Sequence, residues 1–487
     1  MTWDVAVIGA GAGGLSAAAQ LAAAGRSVVV LEKNARVGGK MGRVSRKRYQ
    51  WDVGPSLLTM PEVLEELWSR CGARLSDDLE LIRLETTCRY FWEDGAVVDE
   101  NEAFWQRPDV ARFLSHARGI FEISDRAFLR EQPKDWWKLL LRPSAFGTLR
   151  HVPKVASPRS LSSLVGRFIE EPKLRQLFER FATYNGSSPY QCPAAFAIIA
   201  HVQAAGGWYV QGGIAQIGVA LAALAEKNGA EFRFGVETVA AKKTGEGYQI
   251  HLRNGETVEA RSVICNQDAL AASRGWFGNL LRSVGRQPDH PRPKSELSLS
   301  GFVLLLGLRK RFPKLDHHNI FFSDDYQHEF RELFEKGQPA SDPTLYVAAS
   351  SRTEPKCAPQ SGDNWFVLVN APPERPGLCW ESRKAAYAEL VLDRLERWMG
   401  EPVRPHVEHM EIRTPADFER RDGALGGALY GYASHGSLSS FLRPPMSVRG
   451  LPGFRFVGGS THPGGGVPLA LLGGTMAARD LCREDPS

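Results

Sequence analysis

The first forty residues alternate between short apolar runs and segments rich in small residues. Val5 to Ile8 is a β-branched run typical of a strand, and it leads directly into the glycine-rich segment Gly9 to Gly14. Leu15 to Ala24 is rich in alanine and stops before a glycine, which predicts a helix. Val28 to Leu31 is a second apolar run, and it closes with Glu32. This order of strand, glycine turn, helix, strand and acid is that of a dinucleotide-binding βαβ unit.

Each of these positions has a physical task in such a unit. Gly9 allows a tight turn, Gly11 lets a pyrophosphate approach the backbone, and Gly14 lets the helix pack closely on the strand. Glu32 is placed to accept hydrogen bonds from both ribose hydroxyls. A glycine-rich turn alone is also compatible with an ordinary surface loop. The flanking strands and the acid favour the nucleotide site.

Two further glycine-rich segments extend the pattern. Gly38 and Gly39 are followed by Lys40, which suits a second phosphate contact and is equally compatible with a loop carrying a solvated lysine. Near the other end, Gly458 to Pro468 precedes a helical pattern over Leu469 to Leu481. The backbone N–H groups of that segment and the helix N-terminus could face another part of the same long cofactor.

Composition narrows the class of protein. The 487 residues are 43% hydrophobic and 24% charged, which is typical of a globular protein with roughly two to four domains. Seven scattered cysteines contain no Cys-x-x-Cys motif, so neither a disulfide framework nor a zinc knuckle is predicted. No apolar run approaches the ~20 residues of a spanning helix, and no signal-peptide pattern precedes the first strand. The net charge of +5 is too diffuse to indicate a nucleic-acid partner. We therefore expect a cytoplasmic protein.

One segment carries more positive charge than the rest. Residues 126–180 hold twelve Lys and Arg against five Asp and Glu. Trp136 and Trp137 lie among apolar residues in the first half of this segment, a mixture that suits an interfacial helix on anionic lipid. The alternative is a helix whose tryptophans pack in the core and whose charges are solvated.

With these motifs in view, the chain resembles the bacterial phytoene desaturase family of FAD-dependent carotenoid oxidoreductases nearly from end to end. Within that family it is most similar to the hydroxycarotenoid 3,4-desaturases, and diapocarotenoid desaturases and oxidases are close neighbours. The blocks that carry the resemblance are Glu32-Lys33, Gly38-Gly39-Lys40, Asp52 to Ser56, Phe91 to Gly95, Tyr184 to Tyr190, Gly212 to Ile214, His318 to Asp324, Asp342 to Thr344, Asn364 to Val367, Asn370 to Pro373 and Gly458 to Gly464.

The resemblance implies bound FAD and a set of contacts to it. In this implied set, Lys40 replaces an arginine common in related flavoproteins, so a bidentate phosphate contact is not expected there. Val236, which we place in a strand over Glu231 to Val239, would meet the adenine through its backbone. The implied FAD-binding residues are Gly9, Gly11, Gly14, Glu32, Lys33, Gly38, Gly39, Lys40, Gly54, Pro55, Ser56, Val236, Gly459, Ser460, Gly466 and Val467.

The same resemblance implies an α/β fold with a discontinuous, Rossmann-like FAD-binding domain over residues 1–87, 206–284 and 448–487. An inserted α+β substrate domain would take residues 88–205 and 285–447, with 126–180 as a helical segment facing the inner side of the cell membrane. Three apolar runs predict buried strands under an apolar cavity, namely Leu297 to Leu308, Thr344 to Ala349 and Trp365 to Asn370.

The expected reaction is desaturation of an acyclic, hydroxylated carotenoid, with hydride passing to the flavin. No side chain is required as a dedicated acid or base, because a conjugated polyene spreads the positive charge. His462 could accept the proton, although a histidine beside such a turn is more often a hydrogen-bonding residue. A phytoene or diapophytoene desaturase, a diapocarotenoid oxidase, a flavin-dependent isomerase and a non-catalytic isoprenoid escort are the alternatives. The electron acceptor is left open.

Overall fold

The computed structural model describes residues 2–131, 159–286, 297–436, 439 and 443–484, with residues 126 and 127 described by their backbone alone. The strands in this part of the chain are β1 (Thr2–Ile8), β2 (Val28–Glu32), β3 (Arg43–Arg46), β4 (Tyr49–Asp52), β5 (Leu81–Arg83), β6 (Cys88–Phe91), β7 (Val97–Glu100), β8 (Trp208–Val210), β9 (Glu231–Phe234), β10 (Thr238–Lys243), β11 (Tyr248–Leu252), β12 (Thr257–Cys265), β13 (Ser300–Leu308), β14 (His318–Phe321), β15 (Leu345–Ala348), β16 (Asp363–Ala371), β17 (Val407–Arg413) and β18 (Phe454–Phe456).

The α-helices in the same residues are α1 (Ala12–Ala23), α2 (Pro61–Arg70), α3 (Leu75–Asp78), α4 (Glu102–Trp105), α5 (Pro108–Ser124), α6 (Leu161–Val165), α7 (Pro172–Glu179), α8 (Ile198–Ala204), α9 (Ala215–Lys227), α10 (Ala269–Arg274), α11 (Trp276–Ser283), α12 (Tyr326–Phe330), α13 (Trp380–Met399), α14 (Pro415–Asp422) and α15 (Val467–Glu484). Short 3₁₀ segments are Arg180–Asn185, Ala194–Ala197, Ser350–Arg352, Pro355–Cys357, Arg404–His406 and Leu425–Gly427, and π-helical turns are Asp125–Leu129 and Arg331–Lys336.

The first sheet has the strand order β10-β11-β12-β1-β2-β9, with β18 also pairing with β12. The pairs β12-β1, β1-β2, β2-β9 and β12-β18 are parallel. Side chains of a strand alternate between faces, and here both faces are covered. Val5 and Val7 pack with α1 and α15, whereas Ala6 and Ile8 pack toward α11. Burial on both faces explains why the parallel strands are continuous apolar runs rather than alternating ones.

The two ends of the chain meet beside this sheet. The Ser16 hydroxyl of α1 donates to the Leu471 carbonyl of α15 at 2.8 Å. The helix α1 consists mainly of glycine and alanine, whose small size permits this close approach, and most of the helix is buried. The C-terminal helix therefore completes the unit that the N-terminal strands begin.

The second sheet has the order β17-β13-β16-β15-β14-β6-β7, and its described pairs are antiparallel except β14-β6. All nine residues of β13 are buried. One face packs against α13 through residues such as Trp380, and the other packs against the β3-β4 hairpin through Trp51. Leu304 lies opposite Val367 on one side and Ile412 on the other.

The α/β class and the three apolar strands are confirmed, with the strands shortened or lengthened by one to three residues. The strand predicted over Glu231 to Val239 is wrong. β9 ends at Phe234 beside β2, and β10 begins at Thr238 beside β11. Gly235, at φ +70°, turns the chain between them. Val236 lies in that turn, outside both strands.

The strands of the first sheet come from residues 2–32, 231–265 and 454–456, and those of the second from 88–100, 300–321, 345–371 and 407–413. The β3-β4 hairpin lies in the segment that we assigned to the FAD-binding domain, yet it packs on the second sheet. The domain boundaries stay a prediction.

The basic segment is described only at its ends. Trp136 and Trp137 lie among residues 132–158, which are outside the described residues. After them, α6 and α7 bury Leu164, Leu177 and Phe178 in a core shared with β6 and α5. The apolar residues of α6 and α7 are thus covered by protein, and the prediction that the helical segment 126–180 faces a membrane stays a prediction. No described helix is long and apolar enough to cross a membrane.

Candidate functional site

The two N-terminal glycine segments lie against each other. The Gly38 N–H donates to the Ala10 carbonyl at 2.8 Å. A Cβ on Gly39 would lie 3.2 Å from the Gly11 Cα, closer than nine in ten real Cβ contacts. The structure thus brings the segments Gly9 to Gly14 and Gly38 to Gly39, which are far apart in a simple strand pattern, into one backbone-lined cradle.

Asn266 is a part of this cradle that the sequence reasoning missed. Its Nδ2 would lie 2.5 Å from a Cβ on Gly11, and its Oδ1 2.9 Å from one on Gly13. The Asn266 N–H donates to the Ile8 carbonyl at 2.8 Å. The signal that could have found it is its position directly after β12, because ligands bind beyond the carboxyl ends of parallel strands.

Glu32 is buried at the end of β2, beside the glycine turn. Its Oε2 accepts the Ala10 N–H at 2.7 Å, and its Oε1 accepts the backbone and side-chain N–H groups of Asn34 at 2.8 Å. The Val236 N–H donates to the Glu32 carbonyl at 3.0 Å. Glu32 and Val236 are therefore adjacent, which suits recognition of a ribose and its base, although Val236 is not in a strand.

The phosphate contact assigned to Lys40 stays a prediction. Its Nζ donates to the Leu429 carbonyl at 2.6 Å. A cavity of about 450 Å³ opens instead beside Gly39, and Arg36 and Arg421 are the cations among its lining residues. Burial lowers the pKa of Arg421 from its ordinary value. Lys33 lies close by, with its Nζ 3.6 Å from the position of a Cβ on Gly423.

The loop Gly54-Pro55-Ser56 links the cradle to the second sheet. A Cβ on Gly54 would overlap the Lys40 carbonyl oxygen, so only glycine fits. The Ser56 hydroxyl is hydrogen-bonded to the Tyr346 hydroxyl of β15. This loop therefore holds one end of the glycine cradle against the second sheet.

The C-terminal glycine segment closes the site from the other side. The Ser460 Oγ, next to Gly459, accepts the Ala269 N–H at 3.0 Å. Further along the segment, Gly466 has a φ of +99° and directly precedes Val467, the first residue of α15. Arg443 is buried against this segment and donates to Asn185 Oδ1 at 2.6 Å. Burial lowers the pKa of Arg443 to about 10.

His462 is a buried hydrogen-bonding residue. Its Nε2 lies 2.8 Å from the Glu131 carbonyl, which fixes a proton on Nε2 and leaves Nδ1 as the unprotonated nitrogen. Burial lowers the pKa of His462 to about 4. A histidine in this state is neutral at pH 7 and a weak base.

The sequence reasoning also missed a cluster of polar residues beside the second sheet. Arg180 is buried with the rings of Tyr184 and Tyr346 beside it. Glu100 is fully buried, and burial raises its pKa to about 7. No motif signals these residues, because β7, the 3₁₀ segment after α7 and β15 come together only in the folded chain.

The cradle fits an FAD-type dinucleotide on the structure's own terms. A Cβ on Gly11, Gly13 or Gly39 would meet neighbouring protein atoms, so glycine is what lets these segments pack closely around the turn, and the acid at the end of β2 is held next to it. The residue assignments themselves stay predictions.

Three comparisons with known proteins extend this picture. The family model described as flavin containing amine oxidoreductase matches residues 12–482. A 1-hydroxycarotenoid 3,4-desaturase from a Flavobacterium species is 33% identical over 97% of both chains. A 4,4'-diapolycopene oxygenase from a Methylomonas species is 34% identical over 97% of this chain and 96% of its own. The solved cyclohexylamine oxidase from Brevibacterium oxydans, 17% identical, has the same fold with a TM-score of 0.62 over 100% of both chains.

Proposed function

Because this chain belongs to the flavin-containing amine oxidoreductase family, and is therefore an FAD-dependent oxidoreductase, we propose that it desaturates acyclic, hydroxylated carotenoids. The observation that carries the proposal is the likeness over nearly the whole length to a 1-hydroxycarotenoid 3,4-desaturase. A diapocarotenoid oxidase is the second candidate, supported by the similar identity to a 4,4'-diapolycopene oxygenase.

The first sheet supplies the residues for binding FAD. The turn Gly9 to Gly14 would offer backbone N–H groups to the pyrophosphate at the start of α1. Glu32 would exchange its present hydrogen bonds from Ala10 and Asn34 for ribose hydroxyls. Ser56, Gly459 and the residues around them would border the flavin ring.

The bound cofactor would supply the oxidising power that no side chain has, by accepting two electrons from the substrate. The protein's own residues exclude water and position one bond. The second sheet would give the substrate region a rigid support, since β13 is buried and its two faces pack against α13 and the β3-β4 hairpin. His462 holds its proton on Nε2 and is not needed as a strong base.

Anaerobic mixing of the purified FAD-loaded protein with a hydroxylated acyclic carotenoid tests the proposal. The flavin absorbance should bleach while the polyene absorbance moves to longer wavelength, since a new double bond extends conjugation. When the reaction is repeated in air, so that O2 can supply an oxygen atom, an oxygenated rather than a desaturated product would favour the oxidase. If no carotenoid tried bleaches the flavin of a protein that binds FAD, the desaturase proposal is refuted, and the non-catalytic isoprenoid escort becomes the favoured function.

We further propose that the protein binds the inner face of the cell membrane through the basic segment, because a carotenoid is confined to the bilayer. The supporting feature is the sequence around Trp136, Trp137, Lys138 and Arg142. Sedimentation with anionic liposomes should show binding that weakens with salt. Changing all four residues to Ser should abolish it, whereas changing the exposed Lys227 and Lys242, which lie outside the basic segment, to Ser should not. Equal binding by both variants would refute the assignment.

A further inference from the structure

Arg180 is a charged side chain buried beside the second sheet. It begins the 3₁₀ segment that follows α7, and it is 8% exposed. Its Nη1 is buried and has no hydrogen-bond partner among the described residues. An arginine is always protonated and can only donate hydrogen bonds. This side chain therefore has a donor that the described protein leaves unused.

The charge of Arg180 acts on the buried carboxyl of Glu100 without a direct hydrogen bond among the described residues. The hydrogen bonds of the nearby carboxylates go to other groups. The Glu100 Oε2 instead accepts the Tyr90 hydroxyl at 2.6 Å and the Gln203 amide at 2.8 Å. Glu179 accepts the Ser162 hydroxyl at 2.5 Å. Burial of an unpaired charge is costly, so a fold that retains one has a use for it or a ligand to complete it.

The surroundings place Arg180 beside the candidate FAD site. Its Cζ lies 5.2 Å from the centre of the Tyr184 ring and 5.8 Å from that of Tyr346, and aromatic faces offset part of the desolvation cost. Tyr346 is hydrogen-bonded to Ser56, in the loop that reaches the glycine cradle. One tyrosine therefore separates the guanidinium from the loop where the reacting end of a substrate would lie.

We propose that Arg180 donates a hydrogen bond to the oxygen of the substrate's end group, a hydroxyl or a carbonyl, and thereby selects oxygenated over hydrocarbon polyenes. This inference rests on the proposed carotenoid desaturase function. The polyene has no other acceptor to offer, and an oxygen at its end would satisfy the donor that the surrounding polar cluster leaves unused. A site built around a donor binds the analogue without the oxygen poorly, because the donor is then left unpaired.

The test measures selectivity rather than activity alone. Anaerobic flavin bleaching is followed for one acyclic polyene in three forms, with a terminal region that carries a hydroxyl, an aldehyde or no oxygen. The readout is the ratio of second-order rate constants between each oxygenated form and the hydrocarbon. In Arg180→Met both ratios should fall by about 10- to 100-fold, the range of one charge-assisted hydrogen bond. Arg180→Gln should lower them less, since the amide still donates.

Two further measurements separate binding from structure. The matched control Arg167→Met, an exposed arginine on the same stretch of chain, should leave both ratios unchanged. The thermal midpoint of Arg180→Met should stay the same or rise, because removing an uncompensated buried charge relieves the fold. If Arg180→Met does not bind FAD, the same ratios in Arg180→Gln decide the question.

The outcomes distinguish the two proposals. A fall in the hydroxyl ratio alone identifies an alcohol end group, and a fall in the aldehyde ratio alone identifies a carbonyl. Unchanged ratios in an FAD-loaded Arg180 variant overturn the inference and leave the desaturase function intact. An equal loss with all three forms, together with a changed flavin midpoint potential, also overturns it by assigning Arg180 to the cofactor. No bleaching of the wild-type protein by any form overturns both.

Discussion

The first and second sheets offer chemistry through different parts of the chain. Around the first sheet the contacts come from the backbone, since Gly11 and Gly39 carry no side chain and a Cβ on either would meet neighbouring protein atoms. Beside the second sheet they come from side chains, with Arg180 buried and the ring of Tyr346, in β15, half-buried beside it. Substitution at the first sheet should therefore act by steric exclusion, and substitution beside the second by loss of a functional group.

The largest effect is expected at Gly11. A Cβ there would meet the Asn266 side chain at 2.5 Å, so Gly11→Val should close the cradle and yield colourless protein. The measurement is flavin absorbance per protein after purification. Gly119→Val, in α5 with open space around its Cβ, is the control and should keep full absorbance. Full absorbance in Gly11→Val would show that this turn does not bind the cofactor.

Glu32 tests the same sheet through the buried carboxylate at the end of β2. Glu32→Ala should weaken FAD binding by about 10- to 100-fold, because charge-assisted hydrogen bonds to the ribose are lost. Glu32→Gln keeps one acceptor and should lose less. Titration of the apoprotein with FAD measures both affinities. Equal affinity in all three proteins would remove Glu32 from the site.

Glu100, the last residue of β7 in the second sheet, makes the stability of that sheet depend on pH. Burial raises its pKa to about 7 from an ordinary value of 4.5. Between these values the folded protein binds more protons than the unfolded chain, so the free energy of unfolding falls as pH rises from 4.5 to 7. Glu100→Gln should remove about 1 to 3 kcal/mol of that fall. Denaturant unfolding at pH 5 and pH 8 measures it, and the exposed Glu102→Gln should match the wild type.

The hydrogen bond between Ser56 and Tyr346, which links the glycine cradle to the second sheet, should change the free energy of unfolding less than the burial of Glu100 does. The Ser56 and Tyr346 hydroxyls are hydrogen-bonded, so a double-mutant cycle of Ser56→Ala and Tyr346→Phe should give a coupling of about 0.5 to 1.5 kcal/mol in the free energy of unfolding. Additive effects would mean that the hydroxyl pair does not hold the loop. Bound FAD is kept constant in all four proteins, since the loop borders its site.

His462 should have the smallest effect. Its lowered pKa of about 4 makes it a weak base, and its Nε2 proton is used on Glu131. His462→Ala should keep FAD and lose less than about tenfold in the rate of flavin bleaching. The half-buried His328, far from the glycine segments in sequence, serves as the control through His328→Ala. A loss of several orders of magnitude with FAD retained would instead make His462 the proton acceptor.

The sequence predicted the first sheet well because its signals are local. The signals lie within one short stretch of chain, which runs from β1 through the glycine turn and α1 to β2 and Glu32. The structure has the elements in that order. The strand over Glu231 to Val239 failed for a related reason. Its apolar pattern is continuous, but Gly235 turns the chain and Val236 bonds to Glu32. A local pattern does not reveal which partner strand each half will find.

By itself, the sequence determined the N-terminal βαβ unit, because periodicity and glycine spacing act over a few residues, and its resemblance along nearly the whole chain identified the family. The tertiary structure decided the rest. It brought the two glycine segments together, placed Asn266 against Gly11, turned Lys40 toward Leu429 and left the Arg180 Nη1 without a hydrogen-bond partner in the described chain. The physical reason is that a side chain's desolvation and partners depend on segments hundreds of residues apart, which meet only when the two sheets pack.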